Sequence, residues 1–283
     1  MEQTMQTTVT MVLLVMLAIG LVFGLILALV NKKFAVEVNP LIHMVEDVLP
    51  KGQCGACGYA GCMAYAEAVV TNPDVPPNLC VPGKAPVADA VAELTGKSAP
   101  AMDPQIAHIR CAGDINAAMT KYDYNGVNDC VAANILQGGQ KNCTFGCLGF
   151  GTCVKNCPFG AMSMGSRGLP LVNQDKCTGC GKCATLCPKG VIDMVLIGAR
   201  VTINCNSRDK GAVARKNCTA ACIGCGLCMK NCPYSAIKLD KNLASVDVAI
   251  CIEKCSNSTC LEKCPTKAIE AVVKDRVQEK VAV

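Results

Sequence analysis

The spacing of cysteine constrains this chain more than any other feature. Of the 283 residues, 24 are cysteine, and most of them stand in tight C-x-x-C runs. A cysteine content this high is typical of small secreted disulfide scaffolds, but the chain is long for one, and tight runs suit metal better than bridges. Intrinsic disorder is excluded because 51% of the residues are hydrophobic and only 17% are charged. The fold is therefore expected to be organised around metal bound by sulfur.

Two segments have the C-x2-C-x2-C-x3-C-P spacing of bacterial ferredoxins. They consist of Cys177, Cys180, Cys183 and Cys187, and of Cys222, Cys225, Cys228 and Cys232. Three thiolates in such a loop can surround one [4Fe–4S] cubane, while the fourth points away and ligates the other cubane of a pair. The neighbouring glycines allow backbone amides to approach the sulfur atoms.

Two further segments also end in Cys-Pro but have longer loops. They consist of Cys143, Cys147, Cys153 and Cys157, and of Cys251, Cys255, Cys260 and Cys264. Crossed ligation then predicts four clusters: Cys143, Cys147 and Cys153 with Cys187; Cys177, Cys180 and Cys183 with Cys157; Cys222, Cys225 and Cys228 with Cys264; and Cys251, Cys255 and Cys260 with Cys232. Zinc is disfavoured because its sites use two cysteine pairs separated by a dozen or more residues.

The remaining cysteines form one clear group and one open question. Cys54, Cys57, Cys62 and Cys80, within GQCGACGYAGC and beyond, suit a fifth cubane, with zinc as the alternative. The cysteines left over precede the two Cys-Pro pairs in matched positions: Cys111, Cys130, Cys205 and Cys218. Two interpretations fit these four residues, namely a sixth cluster or small buried thiols.

An apolar segment near the N-terminus predicts a membrane anchor. Residues 9–30 contain no charge, and a helix of that length spans roughly 33 Å. A cleaved signal peptide fits poorly, because no basic residue precedes the run and no small-x-small site follows it. Lys32 and Lys33 predict an outside N-terminus and a cytoplasmic, reducing environment for the cysteines. The span lacks ionisable residues, so an ion path is expected elsewhere in a larger complex.

The sequence predicts an α+β chain with five parts. They are an anchor at 1–33, a four-cysteine [4Fe–4S] domain at 34–81, an Ala/Pro-rich linker with one short helix at 82–105, a two-cluster ferredoxin-like unit at 106–200, and a second such unit with a C-terminal tail at 201–283. The repeated Cys-Pro pairs indicate duplication of a two-cluster unit.

The remaining sequence features favour an electron carrier without an active site for bond making. GCLGFG at 146–151 lacks the order of a dinucleotide-binding loop, and no Walker motif or catalytic triad is present. His43 and His108 are isolated, and neither is expected to be a ligand. The formal charge of +5 falls to about −5 to −7 once five or six clusters with deprotonated ligands are counted, so nucleic-acid binding is not indicated. Five lysines near the clusters are candidates for offsetting the cluster charge or binding an acidic carrier, but each is expected to be a solvated surface residue: Lys141, Lys155, Lys176, Lys182 and Lys189.

Together these features resemble the B subunit of the Rnf complex, a membrane ferredoxin:NAD oxidoreductase coupled to sodium or proton transport. The resemblance covers the anchor, GQCGACGYAGC with its distant Cys80, the linker and the Cys-Pro segments. Two ferredoxin-like units make the chain similar to the long form of the family. The resemblance implies that electrons arrive from reduced ferredoxin and pass to other membrane subunits, which carry the flavins and the NAD site. Our hypothesis is that they enter at the C-terminal units and leave through the Cys54–Cys80 cluster.

Two other functions are open at this stage. A polyferredoxin-type subunit of another membrane complex, such as a hydrogenase or formate dehydrogenase, would have the same cysteine segments. A metal-binding or assembly protein without redox activity would lack low-potential cubane signals in its EPR spectrum.

Overall fold

The computed structural model describes residues 2–34, 39–256 and 258–272, with the side chains of 2–9 and 34 also outside that description. The chain divides into two compact units, Met1–Ile42 and His43–Val283. Helix α1, Glu2–Phe34, contains a stretch with a mean hydropathy of 3.1, none of which is buried by other parts of the protein. The predicted anchor is therefore one helix, long and apolar enough to cross a membrane. The predicted C-terminal tail at 273–283 lies outside the described residues.

The region before the ferredoxin-like units is helical. It contains α2 (Pro40–Val48), α3 (Cys62–Thr71), a 3-10 turn (Val81–Gly83) and α4 (Lys84–Thr95). Tyr65 and Val69 of α3 and Val91 of α4 are fully buried. The ammonium group of Lys97 donates hydrogen bonds to three main-chain carbonyls between Val69 and Val75. The segment expected to be a linker is thus packed against the four-cysteine segment, because the inner face of its helix is apolar.

The first ferredoxin-like unit is built from two antiparallel strand pairs and three short helices. Strand β1 (Gln105–Ile109) pairs with β4 (Ile192–Leu196), and β2 (Met162–Met164) pairs with β3 (Pro170–Val172). Between the strands lie α5 (Cys130–Ile135), α6 (Thr152–Lys155) and α7 (Lys182–Thr185). Small aliphatic residues and cysteines form its core.

The second unit repeats this plan. Strand β5 (Val201–Ile203) pairs with β8 (Ile269–Ala271), and β6 (Ile237–Asp240) pairs with β7 (Leu243–Val246). The accompanying helices are α8 (Gly211–Asn217), α9 (Leu227–Lys230), α10 (Val248–Lys254) and α11 (Thr259–Glu262). Each of the four Cys-Pro segments leads into a strand, namely β2, β4, β6 or β8. The mixture of short helices and antiparallel pairs confirms the predicted α+β class.

Two equivalent glycines show why the ferredoxin loops need this residue. Gly179 and Gly224 both have positive φ, 77° and 66°. A Cβ atom on Gly179 would collide with the carbonyl oxygen of Gln105, and one on Gly224 would approach that of Asn242 to 2.8 Å. Each loop therefore packs against its neighbouring strand or turn only because no side chain intervenes.

Candidate metal centres

The structure gathers the 24 cysteines into six groups of four, which we call sites 1 to 6. Site 1 consists of Cys54, Cys57, Cys62 and Cys80, whose sulfur atoms are close enough to interact electrostatically. Gln53 fixes the loop, because its side-chain oxygen accepts a hydrogen bond of 3.0 Å from the Cys62 N–H where α3 begins. Gly61 leaves the room that this side chain occupies. Site 1 has the composition that the sequence predicts.

Three further sites also combine the cysteines predicted to lie together. Site 2 consists of Cys157, Cys177, Cys180 and Cys183 around one cavity. Site 5 consists of Cys222, Cys225, Cys228 and Cys264, likewise around a cavity. Site 6 consists of Cys232, Cys251, Cys255 and Cys260, which are electrostatic neighbours. In each of these sites a Cys-Pro cysteine crosses over to join three cysteines of the partner segment.

The two remaining sites differ from the predicted grouping. Site 3 consists of Cys130, Cys147, Cys153 and Cys187. Site 4 consists of Cys111, Cys143, Cys205 and Cys218. Compared with the grouping expected from spacing, Cys130 takes the place of Cys143 in site 3, and Cys143 instead lies in site 4. The reason lies in α5, because Asp129 caps this helix and Thr152, which precedes Cys153, binds both the Asp129 carboxylate and the Cys130 N–H.

Site 4 lies where the two ferredoxin-like units meet. Cys111 and Cys143 come from the first unit, and Cys205 and Cys218 come from the second. Backbone hydrogen bonds join the two sides, since Ala112 donates to Asn204 (2.9 Å) and Thr219 donates to Ala117 (2.9 Å). The space at site 4, about 350 Å³ with its opening to solvent included, is similar to the 350 Å³ at site 5 and the 330 Å³ at site 2. Three cysteines that the sequence left unassigned, Cys111, Cys205 and Cys218, thus surround a cavity together with Cys143, and its size is similar to that at the ferredoxin-type sites.

A buried lysine accompanies site 4. Lys141 is only 5% exposed and lines the cavity, and its ammonium group donates a hydrogen bond of 2.6 Å to the Gly113 carbonyl. The expectation that Lys141 is a solvated surface residue is therefore wrong. A fixed positive charge beside four sulfur ligands favours a bound group of negative charge, as a cubane with four thiolates is.

Backbone amides approach several of the sulfur atoms. Ala107 donates to Cys177 at 3.4 Å, and Ala161 donates to Cys157 at 3.4 Å in the same site. Between sites, the N–H of Cys147 lies 3.3 Å from the sulfur of Cys111. Such hydrogen bonds orient cluster ligands and stabilise their negative charge.

Burial makes these thiols weak acids. Removal from water, together with the charge of neighbouring thiols, raises the pKa of Cys147 and Cys183 to about 12. Burial likewise raises the pKa of Cys80, Cys205 and Cys228 to about 11. At neutral pH the free thiols therefore hold their protons, which must leave when a metal centre binds.

The sites are neighbours in a row. Cys180 of site 2 interacts with Cys54 of site 1, and Cys183 of site 2 interacts with Cys153 of site 3. Cys147 of site 3 likewise interacts with Cys111 of site 4.

The row continues into the second unit. Cys205 of site 4 accepts a hydrogen bond from the backbone of Cys222 in site 5. Sites 5 and 6 share the crossed Cys-Pro segments of the second unit. The geometric order is therefore the same as the numbering, from site 1 to site 6.

The donor set and its spacing fit iron–sulfur cubanes. Every site offers four cysteines, the ligand set of a [4Fe–4S] cluster. Among the described residues, no three His, Cys, Asp or Glu side chains are placed to hold a single metal ion. The sulfur atoms of sites 2 to 5 instead surround cavities, as a cage of several atoms requires.

Models of three protein families match the chain. A family described as a putative Fe-S cluster matches residues 49–82, which include site 1. A 4Fe-4S dicluster domain matches residues 142–191, and a 4Fe-4S binding domain matches residues 219–238. The protein therefore binds iron–sulfur clusters. None of the three matched segments includes Cys111, Cys130, Cys205 or Cys218.

The chain is also similar to relatives along nearly its whole length. It is 63% identical to the B subunit of the proton-translocating ferredoxin:NAD(+) oxidoreductase complex of Clostridium ljungdahlii, over 94% of this chain and 93% of that protein. It is 40% identical to the B subunit of the ion-translocating oxidoreductase complex of Methanosarcina acetivorans, over 90% and 96%. For the B subunit of the Na(+)-translocating ferredoxin:NAD(+) oxidoreductase complex of Acetobacterium woodii the identity is 38%, over 90% and 75%.

Proposed function

The chain belongs to the B subunits of ion-translocating ferredoxin:NAD(+) oxidoreductase (Rnf) complexes, and we propose that it accepts electrons from reduced ferredoxin for the membrane part of such a complex. It is an iron–sulfur electron-transfer subunit of a translocase. The row of six four-cysteine sites carries this proposal, because electron transfer needs closely spaced centres along the whole path.

We assign one [4Fe–4S] cluster to each of the six sites, with the 24 cysteines as ligands. When bound, such a cluster takes up and releases one electron. The chain's own residues hold the cluster through thiolates, approach it with backbone amides and, at site 4, place Lys141 beside it. Site 4 is supported by its cavity and its four converging cysteines, whereas the alternative of small buried thiols explains neither.

The order of the sites gives the proposed route. Site 4 joins the two ferredoxin-like units, so electrons received by the second unit reach site 1 through sites 4, 3 and 2. Only residues 35–53 separate site 1 from the apolar helix along the chain, which makes it the proposed exit toward the membrane subunits. Lys32 and Lys33 support an outside N-terminus with all six sites in the cytoplasm.

The substitution Cys205→Ala in the assembled complex tests this function. Substitution of residues that only support metal ligands lowers metal affinity or activity by about 10–100-fold. Loss of a ligand itself should therefore reduce the rate of ferredoxin-driven NAD⁺ reduction by at least about 100-fold. The iron content should fall by about four atoms per chain, while the other cubane signals remain in the EPR spectrum. Unchanged activity would exclude the route through site 4. A dithionite-reduced wild-type protein without cubane signals would exclude electron transfer altogether, and Cys54→Ala tests the proposed exit in the same way.

A further inference from the structure

One cysteine differs from all the others in its exposure. All 24 cysteines lie in the described part of the chain, and Cys225 of site 5 is the only exposed one. It stands between Gly224 and Gly226, so neither of the residues adjacent to it in the chain has a side chain that could cover its sulfur. Leu227, 41% exposed, begins α9 directly after Gly226, and Leu239 of β6, 39% exposed, lines the same cavity. Site 5 thus reaches the protein surface within a small apolar area.

Four exposed cations lie on three chain segments that pack beside the Ile223–Gly226 loop or its cavity. They are Arg208, Lys210, Lys241 and Lys267. The turn at Lys241–Asn242 joins β6 to β7 and lies against Gly224. The Asn242 side chain donates to the Arg208 carbonyl (3.3 Å), which brings the Arg208–Lys210 segment to the same place. Thr266, next to Lys267, lines the site 5 cavity.

The acidic residues of these segments offset the cations only in part. Asp209 is half-buried, and its carboxylate lies 3.4 Å from the Ser207 hydroxyl. Asp240 is exposed at the end of β6. Four cations against these two carboxylates leave a positive rim around an apolar centre. An exposed sulfur ligand within such a rim is suited to brief docking of a negatively charged electron carrier, since electron-transfer contacts are small and guided by charge.

We propose that the surface around Cys225 is the docking site of an acidic iron–sulfur protein, the reduced ferredoxin of the proposed function. One electron passes from the docked protein to site 5. The donor is thereby oxidised by one electron and site 5 is reduced by one, without transfer of a proton or an atom. The proposal rests on the proposed function and adds where the donor binds: at site 5, in the interior of the row.

The double variant Lys241→Glu with Lys267→Glu tests this surface in the whole complex. Binding of oxidised bacterial ferredoxin to the immobilised complex should weaken by about tenfold at low ionic strength. The difference should vanish near 1 M salt, where the Debye length is about 3 Å. NAD⁺ reduction driven by reduced methyl viologen, a small cationic donor that needs no anion-binding surface, should remain as in the wild type.

Lys238→Glu is the matched control. Lys238 is an exposed residue of the same hairpin, but it neighbours Leu239 on β6 and therefore points to the opposite face. An equal loss of ferredoxin binding in this control, or none in the double variant, would overturn the proposal. Loss of other subunits from the double variant would also overturn it, because the surface would then serve assembly. A wild-type complex that neither binds ferredoxin nor is reduced by it would instead refute the proposed function.

Discussion

The two ferredoxin-like units have the same strands but use their cysteines differently. In the second unit, sites 5 and 6 take all their cysteines from residues 222–264, and only Cys205 and Cys218, which precede its Cys-Pro segments, go to site 4. The first unit gives Cys143 to site 4 and takes Cys130 into site 3. Its loop between Cys147 and Cys153 is one residue longer than the equivalent loop of the second unit. The comparison shows that a pair of Cys-Pro segments determines the strands of a unit. It does not determine which cysteines complete the site with the longer loop.

Pairs of cysteine substitutions should test this exchange most strongly. Cys143→Ala with Cys205→Ala removes two ligands of site 4, so the loss should be one cluster, or about four irons per chain. Cys143→Ala with Cys187→Ala affects sites 4 and 3, so the loss should be about eight irons. Iron determination on the purified complex measures both. The grouping expected from spacing places Cys143 and Cys187 in one cluster, so it predicts a loss of only about four irons for the second pair, and that result would restore it.

The buried lysine should make site 4 electrostatically different from the sites within the units. Lys141→Met removes a cation next to the cluster, which destabilises the more negative reduced state. The midpoint potential of site 4 should fall by about 50–100 mV, as expected for a unit charge at an effective dielectric constant near 20. An EPR-monitored redox titration measures the change. Lys155→Met, which removes an exposed lysine near site 3, serves as the control and should cause little change.

Removal of a helix cap should have the smallest effect of these substitutions. Asp129 caps α5, which begins with Cys130, and Asp247 caps α10, which carries Cys251. Hydrogen bonds from the Ala132 N–H and the Thr152 hydroxyl lower the pKa of Asp129, so its stabilising effect is present at neutral pH and lost as the pH falls through this lowered value. Thermal unfolding should show a slightly lower Tm for Asp129→Ala than for Asp129→Asn, because Asn can still cap. Equal Tm values for the two variants would mean that the cap does not hold site 3 together.

The sequence predicted those features that depend on local spacing. The C-x2-C-x2-C loops, the crossed Cys-Pro cysteines and the N-terminal apolar helix follow from short-range rules of coordination and hydropathy, and the structure has them in the expected places. The resemblance to the family is confirmed by relatives that align over most of the chain. The ligand assignments themselves stay predictions.

The features that the sequence missed depend on contacts between distant residues. Cys130 and Cys143 both precede Cys147 at distances that a cluster could use, and only the packing of α5 on Thr152 separates them. The burial of Lys141 likewise follows from the meeting of two units, which no local pattern encodes. The Asp-Cys pair at 129–130, with its capping residue, was the one available signal that Cys130 begins an ordered helix.

The position of site 4 also affects how the protein can be made. Site 1 has all its cysteines once the ribosome has passed residue 80, and it needs nothing further from the chain. Site 4 needs Cys111 and Cys143, which emerge early, and Cys218, which emerges much later. Throughout that interval Cys111 and Cys143 are thiols without their partners. Maturation of this site therefore has to be delayed until the start of the second unit, as far as Cys218, has been synthesised, and chains truncated before Cys218 cannot complete the path between the two units.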